Sequence, residues 1–186
     1  MTKTLPMTTA PDGFSLISNF LTINEQTELL CQISAFEYQE ASFRGKRLKR
    51  TTSQFGYAYI LKGKQLAAAE PMPPFLLALA QKALANCSPQ AEFNQCIITR
   101  YQVSAGIGWH VDAPRFGDLV VGISLAGSGR FQFRPKRTNL ISFETELTSG
   151  SMYLIDGCSR WDYEHRLMPV KEERYSIGFR YVAIET

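Results

Sequence analysis

The chain holds two histidines, and one of them, His110, stands two residues from an aspartate in "WHVD", Trp109 to Asp112. The other is His165, in "YEHRL". Residues two apart on an extended segment share a face, so the His110 imidazole and the Asp112 carboxylate can converge on one point. A third donor would complete a 2-His-1-carboxylate set, and His165 is the remaining imidazole. Such a facial triad holds Fe(II) and leaves positions open on its far side, as an oxygenase needs for a co-substrate and O2. A zinc hydrolase can also use two histidines and an aspartate. A lone H-x-D, moreover, is most often a hydrogen-bonded structural pair.

The residues downstream narrow the choice. "RYSIGFR" ends the chain's patterned region, and on a strand Tyr175, Ile177, Phe179 and Tyr181 form one apolar face. Arg174, Ser176, Gly178 and Arg180 form the other. Two permanently charged guanidinium forks flanking two small residues suit the wall of a pocket for a carboxylate. By itself the pattern also describes an exposed face with two solvated arginines. "DLVVGISLA" repeats the contrast: Leu119, Val121, Ile123 and Leu125 are bulky, whereas Val120, Gly122, Ser124 and Ala126 are mostly small and fit the border of a cavity. A zinc hydrolase does not need paired arginines on one strand face.

These residues need elements to carry them. In "TINEQTELLCQISAF", Thr22 and Glu25 have capping-box spacing, and Leu29, Leu30, Ile33 and Phe36 recur at helical period. "PMPPFLLALAQKALAN" reads as a second helix, with Pro73 or Pro74 in its first turn. "SQFGYAYIL" has strand character, and from Asn94 onward short strands alternate with Gly, Ser and Asn turns. Two helices followed by many strands predict an antiparallel sandwich or barrel with helices on one side. The 186 residues fit one domain, with a loose polar tail over 1–13, helices and a lid over 14–93 and a strand core over 94–186. No apolar run is long enough for a membrane helix, and "MTKTLPMTTAPDG" lacks a secretory core. The four cysteines form no C-x-x-C pair, so reduced thiols in a cytoplasmic monomer are expected.

The net charge of +3 decides little, but its distribution is informative. "FRGKRLKR" reads as a basic loop carrying Arg44, Lys46, Arg47, Lys49 and Arg50, with aromatic residues on both sides. Cations beside stacking surfaces suit a phosphate backbone with accessible bases, although such a loop also serves plain solubility.

"RYQVSAGIGWHVD", "DLVVGISLAGSGRFQFR", "GSMYLIDGCSRWDYEHRL" and "RYSIGFR" together resemble the AlkB-type Fe(II)/2-oxoglutarate dioxygenases. The likeness runs roughly from Phe14 to Val182 and is dense from Ile97 onward. It implies a mainly β, α+β chain folded as a double-stranded β-helix, a cupin-like jelly roll with flanking helices. It implies His110, Asp112 and His165 as iron ligands. Arg174 matches the first arginine of the family's R-x5-R and is expected to bind the distal carboxylate of 2-oxoglutarate, assisted by Tyr101. Arg180 matches the second arginine, near the metal. The implied activity, with O2 as co-substrate, is oxidative demethylation of alkylated bases in DNA or RNA, with repair of 1-methyladenine or 3-methylcytosine leading. "FRGKRLKRTTSQFGYAYI" resembles the nucleotide-recognition lid of a bacterial branch, in which Tyr57 or Tyr59 would pack near an extruded base.

Two positions depart from that pattern. Thr99 stands where many relatives have Asn, so its co-substrate contact should differ. Pro114 stands where the best-known DNA repair members carry a second acid, which opens the question of base preference. Trp109 and Trp161, close to the proposed ligands, are expected in the core. The same iron chemistry on RNA, protein or a small molecule, or a catalytically silent nucleic-acid-binding module, are the rival readings, because fold alone does not choose a substrate.

Overall fold

The computed structural model describes residues 9–43, 46–60, 65–88 and 91–183. Helix α1, Ile23–Ser34, starts at the expected capping box: Thr22 Oγ1 accepts from the Glu25 N–H at 3.3 Å, and the Glu25 carboxylate accepts from the Thr22 N–H at 2.8 Å. Each side chain thereby satisfies a backbone donor that the first helical turn leaves without a partner. Helix α2, Pro74–Leu84, opens with proline at its first position, where no N–H is needed. Lys82 of α2 reaches Glu25 at 2.5 Å and ties the two helices together.

Thirteen strands are formed among the described residues. A seven-stranded sheet runs β1 (Phe14–Ile17), β11 (Met152–Ile155), β8 (Val120–Ala126), β13 (Arg174–Arg180), β6 (Gln95–Tyr101), β3 (Lys46–Phe55) and β2 (Gln39–Phe43). A four-stranded sheet runs β10 (Phe143–Leu147), β9 (Gly129–Pro135), β12 (Tyr163–Leu167) and β7 (Ile107–His110). β4 (Tyr57–Ile60) and β5 (Gln65–Ala68) make a separate ribbon, and a short helix α3 (Gly157–Trp161) precedes β12. The result is the expected double-stranded β-helix with helices on one side.

Strand alternation divides the apolar residues into two cores. Val121, Ile123 and Leu125 of β8, with Tyr175, Ile177 and Phe179 of β13, pack outward against Leu29 and Ile33 of α1 and Leu76, Leu79 and Ala83 of α2. Val120, Ile155 and Tyr101 face inward and meet Phe131, Phe133, Leu147 and Leu167 of the smaller sheet. Because the helices cover the outer face, the inner face of β8 and β13 is free to carry small and polar groups.

Several expectations need correction. The described part of the basic stretch from Lys46 onward is a strand: Arg47, Lys49 and Arg50 lie in β3, which pairs with β6 from Arg50 to Phe55. "SQFGYAYIL" is two strands, because Gly56 sits at φ +74 and a Cβ there would lie 2.1 Å from the Asn94 carbonyl oxygen. Residues 11–13 are anchored, since Pro11, Asp12 and Gly13 each accept a backbone hydrogen bond from the folded body. Positions 1–8 of the expected tail, and Arg44, lie outside the described residues. Tyr181 leaves the apolar face because β13 ends at Arg180, and it is 42% exposed.

The cap has a measurable pH signature. Lys82, then the Thr22 contacts, hold the Glu25 carboxyl down from 4.5 to about 2. A lowered carboxyl adds stability above its unfolded value and loses it as pH falls through the folded one. Thr22→Ala should cost about 1 kcal/mol in urea unfolding at pH 7. Glu25→Gln should also destabilise at pH 7, and its difference from wild type should shrink between pH 4.5 and about 2.

Candidate metal centre and co-substrate pocket

Cross-strand register brings the two imidazoles together. β7 and β12 are antiparallel neighbours in which His110 stands directly opposite His165. Opposed residues of such a pair have Cβ atoms about 5 Å apart, and here the ring centroids are 4.3 Å apart. His110 Nδ1 lies 2.9 Å from the Gly108 carbonyl oxygen. A carbonyl only accepts, so Nδ1 carries the proton and Nε2 presents its lone pair.

Asp112 is placed differently. It lies beyond the end of β7, so strand alternation does not aim it. The loop is gripped instead by Arg160 of α3, which is 1% exposed. Its guanidinium donates to three carbonyl oxygens: Asp112 at 3.0 Å, Ala113 at 2.9 Å and Gly117 at 3.1 Å. The segment that delivers His165 therefore also holds the Asp112 loop. Nothing in the sequence singled out Arg160, because its partners are backbone atoms and carry no residue signature.

The Asp112 carboxylate splits its oxygens. Oδ1 accepts from Arg180 Nη2 at 3.1 Å, and Oδ2 faces His165 Nε2 at 3.5 Å. Burial would raise this carboxyl, but Arg180, His165, His110 and Arg160 hold it well below the usual carboxylate range. Burial pushes the His165 imidazole down to about 3, His110 adds to this, and Asp112 opposes it. At neutral pH the site thus offers a neutral His165 and an ionised carboxylate. One donor atom from each of His110, Asp112 and His165 lies within 4.8 Å of the others. That donor set fits a divalent iron.

The inner face of the large sheet supplies the pocket beside it. Reading along β13, Arg174 stands opposite Tyr101 and Ala126, Ser176 opposite Thr99 and Ser124, Gly178 opposite Ile97 and Gly122, and Arg180 opposite Gln95 and Val120. Arg174 is 1% exposed. Its Nη2 donates to Ser124 Oγ at 2.6 Å, its guanidinium lies 5.4 Å from the Tyr101 ring, and its Nε is buried without a partner. No carboxylate reaches it among the described residues. A buried guanidinium in this state is costly unless an anion joins it, so the pocket fits a carboxylate ligand. Arg180 also has a buried Nε without a partner, and it lies 4.2 Å from the Phe116 ring.

The structure therefore brings His110, Asp112, His165, Tyr101, Thr99, Arg174 and Arg180 to one interior. Among the cations whose side chains are described, Arg47, Lys49 and Arg50 are not gathered there. Arg47 is ion-paired with Glu40, and Arg50 donates to the Gly106 carbonyl oxygen at 3.1 Å. Lys49 is exposed, and Lys46 is placed on β3. Tyr57 and Tyr59 lie on β4, and the Tyr59 ring meets Phe116 edge to face at 5.1 Å. The two tryptophans are outside the core. Alternation next to His110 sends Trp109 to the outer surface, where Arg134 and Arg166 stand 4.4 and 4.5 Å from its ring. Trp161 is half-buried and donates to Asp118 at 3.2 Å. The four cysteines are free thiols.

Residues 13–180 match the 2OG-Fe(II) oxygenase superfamily. The chain belongs to this superfamily. This oxygenase is accordingly an Fe(II)-, 2-oxoglutarate- and O2-dependent enzyme. Its fold is similar to that of OsALKBH1 (TM-score 0.73, 18% identity, 94% of this chain and 99% of that one). It is also similar to a 2OG-Fe(II) oxygenase family oxidoreductase from Burkholderia pseudomallei (TM-score 0.66, 16% identity, 92% and 86%). A prolyl hydroxylase from Trichoplax adhaerens, in complex with a hypoxia inducible factor peptide fragment, is a further match (TM-score 0.66, 18% identity, 92% and 84%). No curated protein matches the oxygenase at a significant level. No described helix is long and apolar enough to cross a membrane.

Arg160 gives this geometry a test away from the donors themselves. Arg160→Lys, which cannot span three carbonyls, should weaken metal binding about 10- to 100-fold. Asp112→Ala should abolish it. Anaerobic Fe(II) titration checks both, and unchanged affinity in Arg160→Lys would show that the loop needs no such grip.

Proposed function

We propose that this oxygenase demethylates alkylated bases in nucleic acid, as an AlkB-type enzyme, with His110, Asp112 and His165 as its iron ligands. Arg174 and Tyr101 seat the distal carboxylate of 2-oxoglutarate, with Thr99 in the adjoining row of the floor. Arg180 holds the metal-side end through its bond to Asp112. Iron and 2-oxoglutarate, when bound, supply hydroxylation of a C–H bond by O2, with succinate and CO2 as co-products. A hydroxylated N-methyl carbon then leaves as formaldehyde, which restores the base.

The protein's part is positioning and exclusion of water. Arg180 keeps one carboxylate oxygen of Asp112 occupied, so the other is left for the metal. His110 is locked in the tautomer that presents Nε2. The observation that carries the nucleic-acid reading is the aromatic chain from lid to metal. Tyr59 of β4 packs on Phe116, Phe116 abuts Arg180, and Arg180 holds Asp112. An unpaired base entering beside Tyr59 would find a stacking surface next to the oxidising centre. Lys49 and Arg47 of β3 border a surface hollow of about 210 Å³ with Thr51 and Gln102, where a phosphate could sit.

Of the described cations on this side, Arg47 and Arg50 already have partners. A peptide substrate is therefore the second reading, and the prolyl hydroxylase fold likeness belongs to it.

A panel of methylated DNA and RNA oligonucleotides, assayed for formaldehyde, should identify a turned-over base. Tyr59→Ala should raise KM for that oligonucleotide by about tenfold, the loss of one stacking contact, while leaving 2-oxoglutarate binding intact. Lys49→Glu should weaken binding and reduce its salt dependence. Turnover of a peptide with none of the oligonucleotides would overturn the assignment.

A further inference from the structure

Tyr153 has no role in the reading above, yet its ring lies inside the same pocket. On β11 it pairs in register with Gly122 of β8, and Gly122 pairs with Gly178 of β13. Both glycines belong to the inward row between Arg174 and Arg180. A Cβ on Gly122 would lie 2.2 Å from Tyr153 Cζ and 2.4 Å from its hydroxyl oxygen, so the phenol end of the ring occupies the space above that glycine. Phe131 backs the ring from the smaller sheet, with centroids 5.2 Å apart. The hydroxyl therefore stands over the middle of β8. Two residues along the strand, about 7 Å away, is Ser124, the hydroxyl that holds Arg174. The Tyr153 hydroxyl makes no hydrogen bond of its own among the described residues.

Its surroundings define its chemistry. Burial lifts the phenol to about 12, and Arg174 is foremost among the charged neighbours acting against that rise. At neutral pH the group is a protonated donor. Arg174 in turn feels two phenols, Tyr101 and Tyr153. An anion paired with Arg174 would meet both.

We propose that Tyr153 is a co-substrate-binding residue whose hydroxyl donates a hydrogen bond to the same distal carboxylate that Arg174 pairs with. The carboxylate is then seated by one guanidinium and two phenols, and the pocket selects 2-oxo acids that carry a second carboxylate over those that end in a methyl group. Gly122 is part of this device, since any side chain there displaces the ring. The inference rests on the assignment of Arg174 to 2-oxoglutarate and is independent of which methylated substrate is used.

The experiment is calorimetric titration of the full chain loaded with Mn(II), which is bound without turnover, using 2-oxoglutarate and then 2-oxovalerate, which lacks the distal carboxylate. Tyr153→Phe should weaken 2-oxoglutarate binding by about tenfold or more, the usual effect of losing a hydrogen bond to a charged group. It should leave 2-oxovalerate binding within about twofold and the melting temperature unchanged. Unchanged 2-oxoglutarate affinity, or an equal loss for both ligands, would overturn the proposal. Arg174→Lys, titrated alongside, separates the two assignments. A loss there with a silent Tyr153→Phe removes only the Tyr153 contact, whereas silence in both variants removes the pocket itself.

Discussion

The ion pair between Asp112 and Arg180 is the constraint on which the interior depends. It places a carboxylate and a guanidinium inside a barrel to which the smaller sheet contributes Phe131, Phe133, Leu147 and Leu167. Buried charge is tolerated only where partners compensate for lost water. Here compensation comes from several directions: Arg180 on one carboxylate oxygen, His165 beside the other, and Arg160 fixing the backbone from below. The pair thus decides which oxygen of Asp112 remains for a cation. Burial, with the nearby His110 imidazole, keeps His165 neutral against the pull of the carboxylate.

The sheet architecture makes that interior possible. Helices α1 and α2 take the outer face of β8 and β13, so hydrophobic burial is satisfied there. The inner face need not contribute bulk, and it carries Gly122, Ser124, Ser176 and Gly178 between two arginines. This lightly packed face fits a carboxylate ligand, with Arg174 at one end held by a single hydroxyl. The smaller sheet meets it with aromatic residues and with β7 and β12, whose opposed histidines need no loop to bring them together.

Along one side of this barrel the strand β3 bears Arg47, Lys49 and Arg50. β3 is hydrogen-bonded to β6 from Arg50 onward, so its side chains are fixed in direction. Alternation and local pairing assign them different tasks. Arg50 braces the segment before β7 through the Gly106 carbonyl, Arg47 answers Glu40, and Lys49 faces solvent. Charge counted along a sequence therefore overstates charge available to a partner. The aromatic path through Tyr59 and Phe116 links that side to Arg180 by contact.

Local residue order by itself determined the capping box at Thr22 and Glu25, the start of α2, the two-faced character of β8 and β13 and the pairing of H-x-D with a distant histidine. These depend on period, on cap chemistry and on residue type, all of which are local. Only the tertiary structure decided that His110 and His165 are cross-strand partners and that Arg160 fastens the Asp112 loop through backbone carbonyls. It also decided that Gly122 makes room for Tyr153 and that Trp109 faces outward. The reason is physical: register between distant strands and hydrogen bonds to main-chain oxygen are set by how the whole chain closes, and neither leaves a mark in the order of side chains.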